Sequence, residues 1–232
     1  MVDKTPFDPE FESLPGIIPV FPLAGVLLLP GGKMPLNIFE RRYLAMIRDA
    51  MMEPTRLIGM IQPTGAEEGD TGPALYPIGC AGRIVNFAET DDGRYLITLD
   101  GFCRFRAATE IDMKDGYRRF NVDFTPFRTD VDSRFDNTAP PMNVRPLIHR
   151  DIIVTAADVY FRSRNMSVNP EALKKLNDSD LVTALSMGCP FSPEEKQALL
   201  EANDLASRAQ LLQTLFAMGG TESLGGGETT RH

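Results

Sequence analysis

Between Gly16 and Phe127 the apolar residues come in short runs broken by Gly and Pro, a pattern that predicts strands. The runs are Ile17 to Phe21, Val26 to Leu29, Leu57 to Ile61, Ile78 to Phe87, Tyr95 to Leu99, Phe102 to Ala107 and Phe120 to Phe124. Asp91-Asp92-Gly93 separates two of them and supplies a glycine for the positive φ of a tight hairpin turn. One segment departs from this pattern. From Glu40 to Met52 the apolar positions Tyr43, Leu44, Ile47 and Met51 follow helical spacing, and Pro54 stands just past the end as a terminator. The first half of the chain is thus predicted to be a β-rich lobe with one embedded helix, over residues 14–128.

From Thr129 to Pro146 acids, Asn, Ser and three prolines mix without periodicity, which reads as a linker or long surface loop. Beyond it the periodicity becomes helical, and residues 147–218 are predicted to form a bundle. Leu147 to Arg162 is amphipathic, and Asp178 or Ser179 is placed to cap a helix running through Met187. Ser192-Pro193-Glu194-Glu195 is a capping box with proline at the first helical position, opening a helix to about Ala202. Asp204 is placed to cap a last helix through Leu205, Leu211, Leu212, Leu215 and Phe216. Residues 219–232 are Gly-rich with little apolar content and are expected to form a flexible tail.

Composition narrows the function classes. The 232 residues are 43% hydrophobic and 24% charged, within the range of folded soluble domains. Net charge is −8 and only six of the 24 basic residues are Lys, which argues against a broad phosphate-neutralising surface and so against nucleic acid. Cys80, Cys103 and Cys189 are widely spaced and odd in number, so they read as core residues in a reducing compartment. The opening MVDKTPFDPEFESLPG carries acids and prolines where an export signal needs a basic start and an apolar stretch, and no apolar run approaches the length of a membrane span. The expected location is cytoplasmic, with no membrane partner.

Catalytic and cofactor chemistry finds little support. Gly31-Gly32-Lys33 has Leu27 and Met34 where a phosphate-binding loop requires Gly and Ser or Thr. His149 is the one histidine away from the terminal His232, and it reads as an ordinary helix residue rather than a catalytic base. The carboxylate pairs Asp91-Asp92 and Glu67-Glu68 fall in apparent loops, where turn chemistry accounts for them. Arg104-Phe105-Arg106 and Arg118-Arg119 interleave base and aromatic as single-strand binders do. Strand alternation, however, puts Phe105 on one face and Arg104 and Arg106 on the other, so these arginines are expected on solvated strand faces. No catalytic residue, metal ligand or cofactor is assigned.

Several blocks together resemble the amino-terminal, substrate-recognising domain of the Lon protease family. They are Ile18-Pro19-Val20-Phe21-Pro22-Leu23, Leu28-Leu29-Pro30-Gly31, the run Pro35 to Tyr43, Gly79-Cys80-Ala81-Gly82-Arg83-Ile84, and Asp92-Gly93-Arg94-Tyr95 leading to Gly101-Phe102-Cys103-Arg104-Phe105. In the helical half, Leu185-Ser186-Met187, Pro190-Phe191 and Glu195-Lys196-Gln197 match as well. The resemblance implies an α+β fold, a PUA-like β pseudobarrel followed by a C-terminal α-helical bundle. In full-length Lon proteases this region precedes ATPase and Ser-Lys peptidase domains, for which 232 residues leave no room. The resemblance therefore implies a non-enzymatic module that binds a protein partner or unfolded peptide segments, its oligomeric state undetermined. An RNA-binding PUA-like protein and an unrecognised enzyme are the alternatives.

Most of the shared prolines and glycines read as architectural. Asn37, Phe39, Glu40, Arg41 and Arg42 are the exception, a mixed polar and aromatic cluster at the opening of the embedded helix, taken as the candidate partner-binding surface.

Overall fold

The structure, a computed structural model, describes residues 9–67, 72–135, 148–167 and 169–222. Glu68, residues 136–147 of the expected linker and bundle start, and residues 223–232 of the expected tail lie outside them. The described residues form two compact units. Those up to 135, together with 191–200, make up the first, and 148–190 with 201–222 the second.

The first unit is built on β1 (Ile17–Pro22), β2 (Lys33–Ile38), α1 (Arg41–Met52), β3 (Leu57–Ile61), β4 (Pro63–Glu67), β5 (Pro73–Leu75), β6 (Ile78–Glu89), β7 (Tyr95–Lys114), β8 (Tyr117–Asp123) and α2 (Arg128–Phe135). β6, β3, β1, β8 and β7 pair in succession and β7 returns to β6, closing a ring; β2 adds to the first half of β7, and β4 and β5 pair separately. Only β1 and β3 run parallel within the ring. This is the expected pseudobarrel. Its interior gathers Ile18, Val20, Leu57, Ile61, Ala81, Phe102, Phe105 and Phe120.

Glycines set the packing of this ring. A Cβ on Gly59 or Gly79 would lie 2.8 Å and 2.5 Å from the tip of the Phe105 ring, so the ring occupies space that any side chain would need. A Cβ on Gly101 would meet the Leu29 carbonyl at 2.0 Å. The same close approach carries two backbone hydrogen bonds, Gly31 N–H to the Gly101 carbonyl and Gly101 N–H to the Gly32 carbonyl, each 2.8 Å. Residues 26–29, predicted as a strand, are instead an irregular segment held by this contact, with Leu27, Leu28 and Leu29 buried. Their apolar run reports burial, not strand pairing. Tyr95 to Leu99 and Phe102 to Ala107 are one continuous strand, β7, which bends through Gly101 and ends in the two-residue turn Asp115-Gly116, both at positive φ.

The expected linker opens with α2, not a loop. Asp130 on this helix accepts from the Arg104 backbone N–H at 3.0 Å and from its guanidinium at 2.9 Å through both carboxylate oxygens. Arg134, one turn on, pairs with Asp100 and donates to the Gly101 carbonyl. Arg104 is therefore only 4% exposed, and Arg118, bonded through two nitrogens to Glu110, is 7% exposed. The expectation of solvated faces for Arg104 and Arg118 fails because Asp130 on α2 and Glu110 on the neighbouring strand supply carboxylates that cover them.

Helix α6 (Pro193–Glu201) begins with the expected capping box: Ser192 N–H donates to the Glu195 carboxylate at 2.8 Å and Glu195 N–H to the Ser192 hydroxyl at 3.2 Å. The sequence reading placed it in the bundle, but it docks on the β ring. Lys196 donates to the Gly25 carbonyl at 2.7 Å, Gln197 to the Ile78 carbonyl at 3.1 Å, and Gln62 to the Pro193 carbonyl at 2.9 Å. The second unit holds α3 (Arg150–Ser163), α4 (Pro170–Lys175), α5 (Asp178–Gly188) and α7 (Leu205–Glu222). Asn177 rather than Asp178 or Ser179 caps α5, accepting from Asp180 N–H at 2.8 Å. α7 continues through Gly219, whose missing side chain admits the Tyr160 ring and whose carbonyl accepts from Arg164.

Removing Asp130 leaves the Arg104 guanidinium buried without its carboxylate, so Asp130→Ala is expected to cost about 3–5 kcal/mol in urea unfolding. Replacing both partners, as Arg104→Met with Asp130→Leu, should recover most of that loss. A single substitution costing no more than a surface ion pair would show that the pair does not hold α2.

Candidate functional site

Beyond the ring, the ends of three strands project as an arm. β2, the first part of β7 and the last part of β6 lie side by side, with Ile38, Tyr95 and Glu89 in one cross-strand row and Asn37, Leu96 and Ala88 in the next. Leu36, Ile38 and Ile97 turn inward, and Asn37 and Leu96 turn outward. The hairpin Thr90 to Arg94 ties the end of the arm, with Thr90 N–H donating to the Arg94 carbonyl at 3.0 Å and Gly93 at positive φ, as its Asp-Asp-Gly sequence predicts.

The five candidate residues sit together at this end of the arm, where β2 passes into α1. All are exposed. Phe39, 65% exposed, presents its ring to solvent between the strand and the helix. Glu40 stands at the N-cap of α1 without a side-chain capping bond; its carboxylate instead accepts from Arg42 Nε at 2.9 Å. The Arg42 guanidinium lies 4.6 Å from the centre of the Tyr43 ring, and burial raises the Tyr43 hydroxyl pKa. Sequence spacing did not reveal that Leu96, 46% exposed, lies beside Asn37 on the outward face of the arm, or that Phe87, 40% exposed, pairs with Ile97 on its other face. The runs Ile78 to Phe87 and Tyr95 to Leu99 predict strands, and a strand prediction does not say which of its side chains face solvent. The signal available was Asp91-Asp92-Gly93, which places residues before and after it near a projecting hairpin tip.

Arg42 and Tyr43 also line a cleft with Pro22, Pro63, Tyr117 and Arg118. Its volume of ≈ 160 Å³ falls well short of the roughly 300–1,000 Å³ of sites that enclose a drug-sized ligand. Behind it Asp49 fastens α1 to the β7–β8 turn, accepting from Lys114 at 2.8 Å and from the Tyr117 hydroxyl at 2.7 Å. These two hydrogen bonds hold the Asp49 carboxyl below the usual range, while burial and then the bond to Asp49 push the Tyr117 hydroxyl up. Cys103 is buried and its thiol is pushed far up by desolvation, the opposite of a reactive thiolate. Among the described residues no three His, Cys, Asp or Glu side chains converge as metal ligands, and no helix is long and apolar enough to cross a membrane.

The family model of the ATP-dependent protease La (LON) substrate-binding domain matches residues 17–217. The chain belongs to this family. Lon protease 2 of Myxococcus xanthus is 30% identical over 214 residues, which cover 88% of this chain and 24% of that protein. Lon protease of Flavobacterium johnsoniae is 29% identical over 222 residues, 92% of this chain and 26% of that protein. The chain thus spans about a quarter of the length of these curated relatives. The Lon N-terminal domain protein of Xanthomonas campestris superposes with a TM-score of 0.56 at 22% identity, over 85% of this chain and 97% of that one. The N-terminal domain of Mycobacterium avium complex Lon protease gives 0.58 at 15% identity, over 87% and 98%. At these identities the structures speak for the fold. In this LON domain Gly31, Gly32, Gly79 and Gly101 fall at the close backbone approaches described above, whereas Asn37 and Phe39 to Arg42 are exposed.

The Asp49 carboxylate adds stability above the ordinary carboxylate pKa of about 3.9, a contribution lost as pH falls through its lower folded value. Asp49→Asn should therefore lower the melting temperature at pH 7, with the gap to wild type closing on acidification below the ordinary range. A gap that stays constant from pH 7 to pH 2.5 would assign the effect to packing rather than charge.

Proposed function

We propose that this LON domain is a non-catalytic module that holds exposed or unfolded segments of protein chains, and that the contact surface is the projecting end of the arm around Asn37, Phe39, Glu40, Arg41 and Arg42. The observation that carries this reading is the exposed apolar and charged cluster at the arm's end, in a chain whose family is defined by substrate binding. Solvent-exposed Phe39 beside Arg41 and Arg42 has the composition of interface centres, where aromatic and Arg side chains contribute most of the affinity. The burial of Arg104 and Arg118 in ion pairs takes two basic residues away from any phosphate-binding face, which favours protein over RNA as the partner. A cytoplasmic setting fits three buried cysteines with no disulfide.

Binding of a reduced, alkylated, permanently unfolded protein is the direct test, read by fluorescence anisotropy against the same protein in its folded state. The 232-residue chain is expected to bind the unfolded form selectively, and Arg41→Glu with Arg42→Glu to weaken it about tenfold, as loss of interface-centre residues does. The purified chain should neither hydrolyse ATP nor cleave the bound protein. Equal affinity for folded and unfolded forms would remove the proposal, and turnover abolished by one point substitution would replace it with an enzyme.

A further inference from the structure

The last part of β6 has a free edge. β3 pairs with β6 only from Cys80 to Arg83, and the Ile84 N–H is taken by the Arg56 carbonyl. Beyond a bulge at Val85, Asn86 to Glu89 pair with β7 on one side, and among the described residues nothing pairs with them on the other. All five residues from Val85 to Glu89 are exposed. The hairpin closes through Thr90 N–H, so alternation along an antiparallel ladder turns the amides and carbonyls of Asn86 and Ala88 toward β7. Those of Phe87 and Glu89 consequently point outward, two residues apart, at the repeat of an extended chain.

The opposite edge of the same arm is closed to such pairing. On β2 the outward-facing positions are Lys33, Pro35 and Asn37, and Pro35 has no N–H to offer. Proline and lysine are the usual means of blunting an edge strand. The β6 edge has neither; it carries Val85 and Phe87, 48% and 40% exposed, with Phe87 set against Tyr95 at 4.9 Å between ring centres. Its acidic end is formed by Glu89 and, on the hairpin, Asp91.

We infer that the Val85–Glu89 edge of β6 binds an extended peptide segment as an added strand, one with alternating apolar residues and a Lys or Arg at its Glu89 end. This rests on the reading of the domain as a binder of unfolded segments, and gives that reading a mode. Backbone pairing supplies affinity without regard to sequence, and the apolar positions supply selectivity. A second copy of this chain is the weaker occupant: five edge residues on each partner fall far short of the 20–30 residues a side, roughly, of a stable protein interface. A flexible peptide needs no more than the edge.

The test uses two probes, the unfolded alkylated protein and a fluorescent ten-residue peptide alternating Val and Ser with two terminal lysines. Phe87→Pro removes only an outward N–H and the ring, leaving the β7 ladder intact, and Phe87→Ala removes the ring alone. Peptide affinity should fall about fivefold or more with Phe87→Pro, beyond the loss with Phe87→Ala, consistent with the loss of a backbone hydrogen bond. In the wild-type chain, amide exchange at Phe87 and Glu89 should slow when the peptide is added, a readout that stands even if the proline variant fails to fold. If the wild type binds the unfolded protein but exchange at these amides does not change, the edge is not the site, while the broader reading survives. If the wild type binds neither probe, both fall. Concentration-dependent dimerisation abolished by Phe87→Pro would overturn the inference by assigning the edge to a second copy.

Discussion

The closure of the β ring depends on backbone approaching where side chains cannot. Five strands enclose little volume, and here the interior must hold Phe102, Phe105 and Phe120. Gly59 and Gly79 on neighbouring strands leave the room that the Phe105 ring fills, and Gly101 lets the segment from Leu29 to Gly32 lie directly on β7 with hydrogen bonds in both directions. That contact buries Leu27 to Leu29 and sets where β2 begins; β2 in turn carries the chain to Phe39 and the start of α1. The position of the exposed cluster is therefore a consequence of a glycine more than fifty residues away in sequence.

Charge performs the second closure. Arg104 lies on the same strand as the Phe105 ring but on its outer side, and a basic residue there is tolerable only because Asp130 reaches it with both oxygens and the Leu200 carbonyl adds a further acceptor. Such a pair is weak evidence of stability when compared with apolar packing, yet breaking it is costly because one charge would remain. It acts as a fastening for α2, with Arg134 and Asp100 making a second attachment one turn along. Residues 191–200 complete the cover through Lys196, which bonds to the Gly25 carbonyl after β1, and Gln197, which bonds to the Ile78 carbonyl of β6.

What could be read from the sequence follows from how local each cause is. The capping box at Ser192 and Glu195, the hairpin at Asp91 to Gly93 and the amphipathic helix after Glu40 are specified by residues within a few positions, and each forms as expected. Val26 to Leu29 misled because a continuous apolar run reports burial whether or not strands pair. The helix at Arg128 to Phe135 has scarcely any apolar periodicity, with Val131 buried in the core and ion pairs to β7 fixing its place, and pairing partners leave no trace in spacing. Asp115-Gly116 was a legible turn signal, but the polar residues before it did not read as strand because the end of β7 runs with both faces largely open to water. At the candidate site, position along the chain brought Asn37 to Arg42 together; the placement of Leu96 beside Asn37 needed the register of β2 on β7.

The two edges of the arm differ in a way that bears on selectivity. An exposed apolar strand edge is a hazard, since any extended chain can add to it, and β2 carries the proline that removes this hazard. Leaving β6 open costs nothing in the fold of the ring, because the edge lies past the last pairing with β3, but it exposes the domain to unwanted association unless the attraction is weak and short. Five residues satisfy that condition: long enough to register two outward pairs of backbone groups, too short to recruit a folded surface. A folded protein has already paired its own strands and hidden its alternating apolar residues. On the inference drawn above, an edge of this length would discriminate by the availability of backbone in its target, and the acidic residues at its end would add a preference for basic flanks without requiring any one sequence.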